Sequence, residues 1–308
     1  MMMKAKLKKL FSKKLKRPNP VFVLVGIVLM VYSISLIFAL TWAFMTSFKT
    51  RTEYINNPIG LPTTFHFSNY AVAFQNFGVT VGKMPNQKVV GIGAQFLNSL
   101  LYAGGCALCL VFTTCTVAYC CAKFSKFRIS AVYVGIVIVT MAIPSVGGQA
   151  GELKVLIDLG IYDTMIGMWI MKLNFQGVYF LVFLASFKGI SQDYIDAAYI
   201  DGANNYQVYF RLILPLVSKT FATVFLIDFI GFWNDYQVPL LYMPSHPTVA
   251  YGLYSYRLKY RAVKPGQDIS SLPMRMAGCM IVFVPIFLVF VAFQKRLLGN
   301  VSMGGLKE

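Results

Sequence analysis

The sequence predicts an all-α membrane protein of six transmembrane helices with both termini in the cytoplasm. Three observations lead there. Hydrophobic residues make up 57% of the 308 and charged residues only 13%, about half the charged share of a soluble domain. The apolar residues come in long runs rather than with a half-buried period, so the bilayer is their natural solvent. The basic residues, finally, gather in the tails and short loops between those runs.

Each element follows in order. A basic tail over residues 1–20 holds eight of the 28 Lys and Arg within its first 17 residues, with no acid among them, the pattern that keeps a membrane protein's end in the cytoplasm. The first apolar run, Val21–Thr46, is too long for a signal peptide and has no small-residue cleavage site after it, so it reads as a retained span. A bilayer core about 30 Å thick needs about 20 helical residues. The further runs Phe96–Cys121, Ile129–Ile143, Thr164–Phe187, Ser218–Leu241 and Met276–Phe293 complete six. The third is short unless it starts before Ile129 or continues past Pro144. The six-span bundle covers residues 21–296, and residues 297–308 form a C-terminal cytoplasmic tail.

Sidedness follows from the loops. With the N-terminus inside, Lys123, Lys126, Arg128, Lys188, Arg211, Lys219, Lys295, Arg296 and Lys307 are also cytoplasmic, which places 17 of the 28 basic residues inside. The outer segment Ser47–Gln95 carries four, and long loops weigh little in this rule. One outer loop, with Arg257, Lys259, Arg261 and Lys264, runs against it.

Several function classes fall away. The +17 net charge sits on tails and loops, not on one folded face, which argues against nucleic-acid binding. The six cysteines lie in or beside apolar runs with no His nearby. They read as small buried hydrophobes, the Cys106–Cys109 C-x-x-C spacing included. No Walker-type phosphate loop is present. His66 and His246 have no metal-spaced partner, and no nucleophile triad is visible. A membrane-embedded enzyme is disfavoured by the lack of a His, Glu or Cys cluster on one membrane side.

The segment Gly189–Thr220, between spans four and five on the cytoplasmic side, is not a minimal loop. Ser191 is a helix N-cap candidate, with Asp193 at the positive end of the dipole. A helix over Gln192–Ile200 follows. Gly202 can end it in the left-handed conformation, a second helix runs from Asn204 to about Leu212, and Pro215 breaks or bends the chain before span five. Small Ala197 and Ala198 would let another protein approach closely, with Tyr194 and Tyr199 as aromatic anchors.

This segment, the loop over residues 189–217, resembles the EAA loop of ABC importer permeases. Asp196, Ala197 and Ala198 take the Glu-Ala-Ala places, Asp201, Gly202 and Ala203 match the usual Asp-Gly-Ala, and Leu212, Leu214 and Pro215 close the pattern at the right distance. Asp196 for Glu and Leu212 for Ile are the departures. Phe232–Leu240, with its Trp-Asn-Asp-Tyr, resembles the signature at the outer end of span five in maltose-type permeases. Asn69-Tyr70, Asn98–Leu100, Leu159–Thr164 and the tail Phe293–Gly305 also resemble that family. The stretch Val79–Val90 reads as an insertion in the first outer loop. The resemblance implies a type I, maltose-type permease subunit of an importer for a sugar or short oligosaccharide. It further implies a second homologous permease subunit, two ATP-binding-cassette ATPase subunits that bind ATP and Mg and dock at the loop, and an extracytoplasmic solute-binding protein. This chain would bind no cofactor. Its tail, with Gln294, Gly304 and Gly305, would reach the ATPase interface.

Charges inside a span cost about 2.5–3.5 kcal/mol each on insertion scales, so each needs an account. Asp228 and Lys172 fall near mid-depth, and either pair with each other or line a water-filled path. Lys172, Asn174 and Gln176 would spread over more than a quarter of a helix circumference. Trp233 and Tyr236 are interfacial aromatics or sugar-stacking rings. Lys172, Asn174, Asp228, Trp233, Asn234 and Asp235 are the candidates for a translocation path. The alternative function is a secondary ion-coupled transporter using Asp228 and Lys172. Six spans without a repeat argue against it.

Overall fold

Twenty-eight residues without a single charge open the described chain as one helix, α1 (Pro20–Ser47). The structure, a computed structural model, describes residues 20–143, 147–258 and 270–301. Most of the basic tail 1–20, the end of the C-terminal tail with Gly304 and Gly305, and the dissenting loop with Lys259, Arg261 and Lys264 lie outside the described residues. Helix α1 is apolar all round and exposed throughout residues 20–41, as expected of a helix solvated by lipid. It packs along the last helix, α14 (Leu272–Val301).

The outer segment folds into two short helices, α2 (Arg51–Asn56) and α3 (Ser68–Asn76), and a small hairpin. The expected insertion supplies that hairpin: β1 (Val79–Val81) pairs antiparallel with β2 (Lys88–Val90), Val79 facing Val90. Buried Lys49 ties the segment down by donating to the carbonyls of Asn57 (2.8 Å) and Gly60 (2.6 Å).

Helix α4 (Ile92–Lys123) is the centre of the bundle. Its 32 residues span about 48 Å at the helical rise, and it begins four residues before the predicted span. Ala103, Cys106, Ala107, Val111, Cys115 and Ala118 are buried along it, a stripe of small side chains that lets neighbours approach closely. The cysteines in that stripe are packing residues, as their apolar context suggested. Around α4 stand α5 (Arg128–Ala142), α7 (Met165–Met171), α8 (Val178–Lys188), α11 (Ser218–Asn234) and α13 (Val249–Arg257). A surface helix, α6 (Gln149–Asp158), separates α5 from α7.

Two predicted spans are corrected. The fourth is not one helix over Thr164–Phe187: it breaks between α7 and α8 at Lys172–Gly177. Gly177 sits at φ +102°, and the freed carbonyl of Asn174 accepts the Thr113 and Thr114 hydroxyls of α4 at 3.0 and 2.8 Å. Tyr133 of α5 likewise donates to the Phe175 carbonyl. Broken backbone is tolerated at membrane depth when neighbours satisfy it. The fifth span ends at Asn234, not Leu241, because Asp235 starts a separate helix, α12 (Gln237–Tyr242). The third, at 15 residues, rises only about 22 Å. Among the described residues, three single helices are long and apolar enough to cross a membrane, a fourth span qualifies by length and composition if the bent pair of residues 205–216 and α11 counts as one, and α5 and α8 are shorter apolar segments.

Candidate coupling loop and translocation path

The segment after α8 is an elbow of two helices. In α9 (Gln192–Ile200), the Ser191 side chain accepts the Asp193 N–H at 3.3 Å and donates to its carboxylate at 2.9 Å. The far end closes with the Gly202 N–H on the Tyr199 carbonyl and the Ala203 N–H on the Ala198 carbonyl, both at 3.0 Å. Gly202 takes φ +81°. This is a Schellman cap, which uses up the carbonyls a helix end leaves unpaired.

The second helix, α10 (Asn205–Leu216), opens on a reciprocal capping box: Gln207 N–H to Asn204 Oδ1 at 2.9 Å, Asn204 N–H to Gln207 Oε1 at 2.8 Å. Its middle, Val208–Ile213, winds as a π-helix just before Pro215, which has no N–H for an ordinary ladder. The chain then bends by 72° into α11, two residues beyond the proline.

Packing sorts the predicted docking residues into two sets. Ala198, Ala203, Leu212 and Leu214 press against a core of Val208, Tyr209, Ile213, Phe183 and Phe187. Asp196, Ala197, Asp201, Gly202 and Pro215 are exposed. Ala198, half-buried, packs on the bundle and also lines the crook of the elbow. Tyr194, Ile200 and Tyr206 project, with Ile200 87% exposed. Ile200 and Tyr206 were not singled out in the sequence, although an isoleucine at a loop apex is the signal. Tyr199 also departs from expectation. Its hydroxyl turns back to Lys123 of α4 and to Asn205, each at 2.7 Å. A cavity of about 340 Å³ lies in the crook of the elbow, lined by Asp201, Gly202, Gln207 and Arg211 among others.

The path candidates divide likewise. Asp228, midway along α11, has one carboxylate oxygen buried with no hydrogen-bond partner among the described residues. No ion pair joins it to Lys172 among those residues. Lys172 caps α7 where the fourth span breaks, and its Nζ stands 5.6 Å from the Phe232 ring. The break moves Lys172, Asn174 and Gln176 off any shared helix surface, which corrects the predicted fan. Trp233 is buried between Phe96 and Phe229, with its Nε1 unbonded among the described residues. Tyr236 stacks on Tyr254 at 4.6 Å. Asn234 donates to the Ile230 carbonyl. Asp235 accepts from the Tyr102 hydroxyl (3.0 Å) and from the N–H groups of Gln237 (3.0 Å) and Val238 (3.2 Å), so it caps α12 and ties it to α4.

A family model described as the inner membrane component of binding-protein-dependent transport systems matches residues 115–302, more than half of the chain. The chain belongs to this family. The matched stretch contains the whole α9–α10 elbow. This inner membrane component is 26% identical to the diacetylchitobiose uptake system permease protein NgcG of Streptomyces coelicolor, over 90% of this chain and 86% of that one. It is 23% identical to the melibiose/raffinose/stachyose import permease protein MelC of Bacillus subtilis, over 85% and 88%. A crystal structure of a bacterial ABC transporter involved in import of the polysaccharide alginate contains a chain with the same fold, at a TM-score of 0.72 and 21% identity over 91% of this chain and 98% of that one. The protein is thus a multi-pass permease of the cytoplasmic membrane. The ion-coupled alternative finds no support in the family or in the unpaired Asp228 and Lys172.

Proposed function

We propose that this chain is one of two permease subunits of an ATP-driven importer for a sugar or short oligosaccharide. The carrying observation is the projecting, fully capped elbow on a chain whose relatives are named for carbohydrate uptake. Asp196, Ala197, Asp201 and Gly202, with Tyr194, Ile200 and Tyr206 beside them, form the surface on which an ATPase subunit docks. Ala198, Ala203 and Leu214 hold that surface to the bundle, and Pro215 turns the chain back into the membrane. Two ATPase subunits bind ATP and Mg and hydrolyse the nucleotide. This chain binds no cofactor and performs no chemistry. A second, homologous permease completes the path, and an external binding protein delivers the sugar. The charge asymmetry supports an elbow and tails (residues 1–20 and 297–308) on the cytoplasmic side of a 21–296 permease domain.

Within the path, Asp228 and Lys172 are the side chains free to meet substrate hydroxyls. Asn174, Trp233, Asn234 and Asp235 frame the route, since their polar groups or rings are engaged inside the chain. The test is reconstitution in liposomes with the partner permease, ATPase subunits and binding protein, using diacetylchitobiose, raffinose, stachyose and arabino-oligosaccharides as probes. ATP-dependent accumulation of at least one sugar by the full assembly is expected, and none by this chain alone. Accumulation by the chain alone, or uptake that ignores ATP, overturns the importer reading. Uptake confined to amino acids overturns the sugar.

A further inference from the structure

Lys123 is the last residue of α4. A lysine at a span's inner end ordinarily reaches for water and headgroups. This one turns into the elbow instead. Its Nζ donates to the Tyr199 hydroxyl and to Asn205 Oδ1, both at 2.7 Å, and the Tyr199 hydroxyl donates to the same Asn205 oxygen at 2.7 Å. The rings of Tyr199, Phe124 and Tyr119 stand 5.4, 5.8 and 5.9 Å away. One ammonium thus joins the end of α4 to the last turn of α9 and the first residue of α10. Charge-assisted bonds of this kind are roughly twice as strong as neutral ones, and a cation suits the negative end of α4.

The same helix is tied to everything deeper. Thr116 bonds Tyr209 of α10 at 2.8 Å. At mid-height, Thr113 and Thr114 hold the Asn174 carbonyl in the break of the fourth span. At the far end, Tyr102 holds Asp235, Ser99 accepts the Val249 N–H at 2.7 Å, and Asn98 donates to the Pro247 carbonyl at 3.1 Å. A rigid rod about 48 Å long therefore runs from the elbow to Asp235 at the end of α11 and to the start of α13.

We propose that Lys123 is a positioning residue that joins the elbow to α4, so that a displacement of α9 by the docked ATPase moves α4 and, through it, the mid-membrane break and the outer ends of α11 and α13. This rests on the reading of α9 as the docking helix. The elbow's own caps hold its two helices together at Gly202, and the lysine ties that unit to α4.

Hydrogen exchange on the assembled complex, nucleotide-free and after ATP–vanadate trapping, tests this. In the native complex, trapping is expected to change exchange both in α9 and in the last two turns of α4. Lys123→Met should retain the α9 response and reduce the α4 response about tenfold, within the usual range of coupling between sites. Lys123→Arg, which keeps the charge and donors, should restore it. If Lys123→Met does not assemble, Tyr199→Phe removes the hydroxyl that links α9 to the ammonium, leaves the Lys123–Asn205 bond, and should reduce the α4 response in the same direction but by less. A full α4 response in either variant, with α9 still responding, overturns the relay while leaving the docking helix in place. No α9 response in the native complex overturns the docking reading and the relay with it.

Discussion

The elbow and the middle of the membrane are finished to different degrees. In the elbow, both ends of α9, the start of α10 and the three groups around Lys123 are all paired within the chain. In the membrane half, Asp228 Oδ2 and Trp233 Nε1 are buried without partners among the described residues. Unpaired polar atoms are costly at that depth. The elbow is therefore a rigid part whose polar groups are completed within the chain, whereas α11 keeps two buried polar atoms without a partner among the described residues.

The sharpest way to break the elbow is Gly202→Val. A Cβ there meets nothing within 4 Å, so the whole penalty is backbone strain at φ +81°, about 1–3 kcal/mol and at the upper end for a β-branched side chain. Loss of transport and of ATPase co-purification, with normal membrane insertion, is the expected result. Gly202→Asn, which tolerates that conformation, should retain much of both. Normal transport in the valine variant would mean that the elbow need not be rigid.

The other side of the comparison is probed by Asp228→Asn and Lys172→Met. A pair of charges seen only as mid-depth residues should be coupled, but the fourth span breaks at Lys172 and no ion pair forms. Their effects on folded yield should therefore add to within about 0.5 kcal/mol. A larger interaction energy would show that another conformation brings them together.

A smaller effect is expected from Tyr102→Phe. Removing one donor to the Asp235 carboxylate leaves two N–H groups in place, so the loss is about 1–2 kcal/mol, read as a lower thermal midpoint of the purified permease with little change in α9 exchange.

The smallest effect lies away from both regions. The Thr63 backbone N–H beside Glu53 holds this outer-loop carboxyl below the usual carboxylate range, with the Thr63 hydroxyl and the Thr50 backbone N–H adding to the effect. A depressed value means that the charged form favours the folded loop. The contribution is present above the unfolded value of about 4.3 and fades as pH falls through the folded one. Proteolysis of the 48–68 segment should rise modestly below about pH 4 and should lose that dependence in Glu53→Gln.

The elbow was legible in the sequence because its signals are local. Ser191, Gly202, Asn204 and Pro215 act on neighbours within a few residues, and each does in the structure what its chemistry predicts, except that Pro215 is preceded by a π-helix and the bend falls two residues later. The path was less legible. Lys172, Asn174 and Asp228 stand out as polar residues in apolar runs, but a hydropathy window cannot say which helix surface they occupy, or whether the helix is continuous.

By itself the sequence determined the solvent, the long helices α1, α4 and α14, and the capped elbow, since composition and short-range backbone chemistry suffice for these. Only the tertiary structure decided that the fourth span breaks, that Asp235 caps α12, that Ala198 packs on the bundle and that Tyr199 turns back to Lys123. The physical reason is that each depends on a partner far along the chain: Thr113 lies 61 residues from Asn174, Tyr102 lies 133 from Asp235 and Lys123 lies 76 from Tyr199. A break in a membrane helix is stable only where another helix supplies the missing hydrogen bonds, and that helix is chosen by packing.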